Sequence, residues 1–167
     1  MKKLIVVLVI ALLPVLAFAD FGLQLGGTAM YKGVWTDLET NPPTFDDFTY
    51  GGEVRLNFGL IQGAVAGLYY PGTPNQIVAL TDIGLTLNLA IVRLGVGIGP
   101  NFYIPLGGSV SGVPIGFNLK GAVDLQLGKI SLGLVGYYYL ASLSDLGLGL
   151  FETAQPWLGL TLLYKLF

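Results

Sequence analysis

Glu53 and Arg55 stand two residues apart, and Lys120 and Asp124 four apart, in a chain that is only 11% charged. Even spacing places both members of each pair on one face of an extended strand. Two acids and two bases in apolar surroundings can neutralise one another in salt bridges, or can line a polar path for small ions. Asn57, Asn88, Asn118 and Gln126 fall on the corresponding faces of their own segments and can extend either arrangement by hydrogen bonds. A second set is aromatic. By parity Tyr69, Tyr103, Tyr137 and Tyr139 share one face, with Trp157 nearby. Such rings can cradle an apolar ligand or simply pack on one another. A third set is acidic: Asp37, Glu39, Asp46 and Asp47 in one stretch, Asp145 and Glu152 in another. Carboxylates suit hard cations such as Ca²⁺. The spacing matches no calcium loop, so solvated acidic segments are expected and no metal site is assigned.

Much other chemistry is excluded by composition. The chain has no His and no Cys. It therefore lacks the commonest general base, the commonest metal ligand, thiol nucleophiles and disulfides. Ser109, Ser111, Ser142 and Ser144 have no imidazole to activate them and read as turn residues. Neither catalytic residues nor a cofactor are expected. Beyond residue 19 six Lys and Arg face ten Asp and Glu. No basic stripe is left to neutralise phosphates, so nucleic acid is not an expected partner.

The elements that must position these residues follow from the hydrophobic pattern. Hydrophobic residues make up 53% of the 167-residue chain, and 25 residues are Gly. Only the start is continuously apolar. Lys2-Lys3, the run Leu4 to Leu16 and Ala17-Phe18-Ala19 before Asp20 have the three parts of a secretory signal peptide. Residues 1–19 are expected to be cleaved, leaving 20–167 as one domain. A spanning helix needs about 20 apolar residues. The best later stretch, Ile83 to Ile98, contains Arg93, Asn88 and three glycines. A period of two fits far better. Leu85, Leu87 and Leu89 alternate with Gly84, Thr86 and Asn88; Val54, Leu56 and Phe58 alternate with Glu53, Arg55 and Asn57.

The pattern predicts eight strands near 21–32, 48–59, 62–71, 82–91, 94–104, 114–127, 130–140 and 156–167. Tight connections near Leu60, Val92 and Gly128 alternate with long ones, the arrangement of a transmembrane barrel with short periplasmic turns and longer extracellular loops. The fold class is thus all-β, an eight-stranded antiparallel up-and-down transmembrane barrel. Aliphatic side chains are expected to face lipid. Tyr31, Tyr50, Tyr70, Phe102 and Tyr138 would form an aromatic girdle. The small polar face would fill a narrow lumen, with Gly95, Gly97 and Gly99 making room for long side chains opposite. Arg93 and Lys129 are expected at short turns. A soluble lipocalin-like carrier, suggested by Gly33-Val34-Trp35, is the competing reading. It fails on a polar face too poor in charge to hydrate a soluble exterior.

The chain ends on Gly159-Leu160-Thr161-Leu162-Leu163-Tyr164-Lys165-Leu166-Phe167. Gly159, Leu162, Tyr164 and the terminal Phe167 resemble the carboxy-terminal assembly signal of bacterial outer-membrane barrels; Leu158 and Lys165 depart from its usual pattern. Residues 20–167 as a whole resemble the eight-stranded outer-membrane barrels of the OmpA and OmpX type. The resemblance implies a monomeric barrel in the outer membrane of a double-membraned bacterium. It also implies outer-membrane lipid around the barrel, and periplasmic chaperones and the barrel-assembly machinery as partners during biogenesis. The expected role is structural or surface-interacting, with Glu53, Arg55, Lys120 and Asp124 plugging the lumen. A small-solute channel, or a barrel that binds or transports an apolar ligand among the rim tyrosines, is the alternative.

Overall fold

A computed structural model of the protein describes residues 21–33, 42–107, 114–140 and 156–167. The signal segment and much of the long connections, including Asp37, Glu39, Asp145 and Glu152, lie outside the described residues. The described residues form a closed barrel of eight antiparallel strands. These are β1 (Phe21–Tyr31), β2 (Phe48–Phe58), β3 (Ile61–Tyr70), β4 (Gln76–Leu89), β5 (Val92–Pro105), β6 (Ile115–Leu127), β7 (Ile130–Leu140) and β8 (Trp157–Lys165). Each strand pairs with its neighbours in the chain, and β1 closes the barrel against β8. The seam continues beyond β8: Leu166 N–H donates to Leu23 O at 2.8 Å and Leu23 N–H to Phe167 O at 3.2 Å.

Closure leaves no unpaired strand edge, and the alternation of side chains then has only two destinations. Large aliphatic groups point out: Ile83, Leu134 and Leu160 are each more than 60% exposed. Charged and amide groups point in: Arg55 and Asn118 are wholly buried, and Glu53, Asp124 and Lys120 nearly so. This inverts the partition of a water-soluble protein, in which charge is outside.

The turns set the parity of every strand. Gly59 and Gly128 take positive φ at the β2–β3 and β6–β7 turns, where a side chain would be strained. Ala90 takes φ 53° at the β4–β5 turn, so this connection lies at Ala90-Ile91, and β5 starts at Val92, two residues before its expected start. Consequently Arg93 is not a turn residue. It is the second residue of β5 and faces the lumen, 5% exposed. β4 starts at Gln76, earlier than the alternation predicts. The reason is that Val78 and Leu80 point inward and are fully buried. With both faces apolar there, the polar contrast that marks a strand is lost.

Candidate functional site

The lumen is built in three layers. At the end bearing the short turns, Arg93 is caged by four amide side chains from four strands. Its guanidinium donates to Gln24 Oε1 at 2.7 Å, Asn57 Oδ1 at 3.3 Å, Asn88 Oδ1 at 3.1 Å and Gln126 Oε1 at 3.2 Å. Asn57 also donates to Gln24, and Gln126 to Asn88, so the cage is bonded to itself.

The middle layer is ionic. Arg55 on β2 donates twice to Glu53 Oε1, at 2.9 and 3.1 Å, and reaches across the barrel to Asp124 Oδ2 on β6. Lys120 on β6 bridges Glu53 Oε1 at 2.9 Å and Asp82 Oδ2 on β4 at 3.1 Å. The Thr28 hydroxyl donates to the other Glu53 oxygen at 2.9 Å. Removal of these charges from water is costly, and mutual pairing with extra hydrogen bonds offsets that cost. Gly133 on β7 is the space that permits the layer: a Cβ there would overlap both Asp124 Oδ1 and the Thr161 hydroxyl.

The third layer, toward the long loops, is apolar. Met30, Leu68, Val78 and Leu80 are fully buried, with Val135 and Tyr137 beside them. Tyr70, Tyr103, Tyr139 and Trp157 pack over this layer. The Tyr139 and Trp157 rings lie 4.3 Å apart, and Tyr70 stands 5.5 Å from Trp157. Lys32, just past β1, sits 3.8 Å over the Tyr70 ring and donates to Pro71 O at 2.9 Å. Partial burial lowers the Lys32 ammonium pKa, against the opposing pull of Asp47 and Asp46. Asp47 lies in a single 3₁₀ turn, Phe45–Asp47, before β2. Hydrogen bonds from the Thr44 backbone N–H at 2.7 Å and the Thr44 hydroxyl at 2.8 Å hold its carboxyl below the ordinary aspartate range.

The four charges singled out in the sequence, Glu53, Arg55, Lys120 and Asp124, thus meet in one network. Asp82 and Arg93 also face the lumen. Asp82 shares parity with Gly84, Thr86 and Asn88, and that was its signal; it fell at the edge of the recognised alternation. The tyrosine set needs one exchange. Tyr103, Tyr137 and Tyr139 face inward, but Tyr69 faces outward, its ring 5.6 Å from that of Tyr50, and Tyr70 takes the inward place. The β2–β3 turn pairs Ile61 with Phe58, which fixes Ala64, Ala66, Leu68 and Tyr70 inside. Beyond Gln62 both faces of β3 are apolar, so its parity was settled by that pairing. Of the glycines, Gly97 leaves room for Asp82, whereas Gly99 marks a close approach to the β4 backbone. At the chain end, Leu162 and Tyr164 face outward, and Phe167 stacks on Phe21 at 5.4 Å. Gly159 lies against Ala29 and Met30 of β1, where a Cβ would not fit.

An apolar exterior thus surrounds a charged, self-bridged interior in a closed barrel of eight antiparallel strands. No protein-family profile matches the chain, and no curated protein does. Among solved structures, the N-terminal β-barrel domain of Pseudomonas aeruginosa OprF superposes with a TM-score of 0.57 at 9% identity, over 88% of this chain and 98% of that one. The likeness is one of fold: a closed eight-stranded antiparallel up-and-down barrel.

Proposed function

We propose that the chain is an integral outer-membrane barrel with a structural or surface-interaction role, its lumen plugged by its own side chains. The observation that carries this reading is the inverted partition of side chains. A belt of more than half-exposed Leu, Ile and Val surrounds buried Arg, Lys, Asp and Glu. Only a hydrocarbon surround makes both halves favourable, since burying apolar surface in lipid gains about 25 cal/mol per Å². Aromatic clusters mark both ends of the belt. Phe45, Tyr50 and Tyr69 form a chain of ring contacts at the loop end, at 5.4 and 5.6 Å. Phe21, Phe58, Tyr164 and Phe167 lie exposed at the turn end, on the side formed by β8, β1 and β2. Tyr50 and Phe58 lie eight residues apart on β2. That is about 26 Å along a strand, or roughly 20 Å along the axis at a tilt of about 40°. The spacing suits a thin outer membrane.

The plug reading is supported by bonds that cross the lumen rather than follow its wall: β2 to β6, β6 to β4 and β5 to β1. A non-enzymatic role is supported by the absence of His and Cys. Export by the segment 1–19 is part of the proposal, and the mature protein should begin at Asp20 by mass spectrometry. The decisive experiment is envelope fractionation combined with gel migration of heated and unheated samples. The barrel should enter the outer-membrane fraction and migrate faster unheated; recovery in the soluble periplasm would refute the proposal. In planar bilayers a plugged lumen gives no regular conductance, and reproducible unitary channels would refute the plug.

A further inference from the structure

We infer that the barrel wall has a built-in opening point, the β4–β5 joint at Pro100, and that Asn118 of β6 is the latch that holds it shut. β4 pairs with β5 from Gln76 and Pro105 to Leu80 and Asn101, and again from Ile83 and Ile98 to Leu89 and Val92. Between these runs, Thr81 opposite Pro100 and Asp82 opposite Gly99 are left out of the ladder. The register is the same on both sides of the gap, so no residue is inserted; bonds are missing. Thr81 O is directed at β5, since it is the atom that a Cβ on Gly99 would strike. In an antiparallel ladder its donor would be the N–H of the residue opposite, and Pro100 has none. A closed barrel has no edge at which that loss is harmless, and an apolar surround has no water to replace the bond.

Two side chains stand in for the ladder. Asn118 Nδ2 donates to Thr81 O at 3.3 Å, and the Thr81 hydroxyl donates to Pro100 O at 2.8 Å. Thr81 O can only accept, so the amide nitrogen of Asn118 is the group that faces it. The amide starts from β6 and must cross β5 to reach β4. Gly99, paired with Asn118, has no side chain in its way. Asn118 is wholly buried, and this bond is its only printed partner across the joint. A single bond of that length is weaker than the ladder it replaces. On the outer wall a recess lies over the same joint, lined by Gly63, Thr81, Ile83, Ile98 and Pro100. Asp82, just inside the joint, belongs to the ionic layer, and Leu80 to the apolar one. Parting β4 from β5 here therefore opens the wall sideways, at the boundary of the two layers, rather than along the axis.

The test is amide hydrogen exchange, read residue by residue by NMR on the folded barrel in detergent micelles. The amides of Thr81, Ile83 and Ile98 should exchange about tenfold or more faster than those of Val123 and Leu134, a pair in the unbroken β6–β7 ladder. Pro100→Ala restores an N–H opposite Thr81 and should slow the first three about tenfold. Asn118→Leu, of similar volume, removes the latch and should speed them about tenfold, the effect of one buried acceptor left unpaired. In the Pro100→Ala background the same substitution should change them by less than about twofold, because a backbone donor then serves Thr81 O. Equal protection of the two sets of amides in the native chain would overturn the opening point. An Asn118→Leu effect of the same size in both backgrounds would mean that the side chain only fills space, and would overturn the latch. If Asn118→Leu fails to fold, Pro100→Ala alone decides: no slowing on restoring the N–H would overturn the inference.

Discussion

Replacing Arg55 by Leu should be the most damaging single change in the lumen. Arg55 supplies the donor to Asp124 Oδ2, and the other Asp124 oxygen has no donor among the described residues. Glu53 keeps Lys120 and Thr28 when Arg55 is lost. The harm therefore falls on Asp124, left as a buried carboxylate without a partner. Breaking a buried pair in this way costs about 3–5 kcal/mol. For a chain of this size each kcal/mol moves the thermal midpoint by about 2–4 °C, so the expected loss is roughly 10 °C. The assay is the temperature at which the unheated gel form converts to the heated form, checked by tryptophan fluorescence of the barrel in lipid vesicles. A second substitution separates charge from packing. Arg55→Leu with Asp124→Leu removes both members of the pair and should recover most of the loss, because an apolar pair of similar volume is close to neutral. A midpoint lowered by less than about 2 °C in the single variant would refute the reasoning. So would a double variant no better than the single one.

Gly133→Ala should lower the midpoint by about 1–3 kcal/mol equivalent through overlap with Asp124 and Thr161. Gly121→Ala, where a Cβ meets nothing, should be nearly silent, and a matched melt of the pair decides. Ala90→Gly should stabilise the barrel by about 1 kcal/mol, since Ala90 holds a positive φ that costs a side chain; urea unfolding in vesicles would measure it. The Asp47 carboxyl should titrate below ordinary aspartates, because its folded form is held as the anion by Thr44. The order it lends to the turn is then present above the unfolded pKa and is lost as pH falls through the lowered folded value. Thr44→Ala should move the titration back up, as followed by carboxyl NMR.

The strands that were easiest to read in the sequence are those whose two faces differ. β2 and β6 alternate Val, Leu and Phe with Glu, Arg, Asn, Lys and Asp, and their inward residues stand where parity placed them. The strand β3 stands where expected, but its facing, and the start of β4, could not be read because most of their inward residues are Ala, Leu and Val, as apolar as those facing out. That is the apolar layer at the loop end of the lumen. It also explains the exchange of Tyr69 for Tyr70, since adjacent tyrosines carry no parity of their own. Asp82 and Arg93 were missed for a related reason: both sit within two residues of an expected strand end, where a shift in the boundary decides whether a side chain is inside.

By itself the sequence determined the number of strands and which faces are apolar, because a two-residue period depends only on which residues are apolar. It also determined that the charges had to meet, since an apolar surround leaves them nowhere else to go. Which charges meet, and in what order along the axis, was decided by the closed barrel. Arg55 and Asp124 are 69 residues apart in the chain, as are Gln24 and Arg93. Their contact depends on strand register and closure, and three tight turns fix the register of the strands that they join. A one-residue slip at any of those turns would send a strand's charges onto the apolar exterior of the barrel, and that penalty selects the observed register.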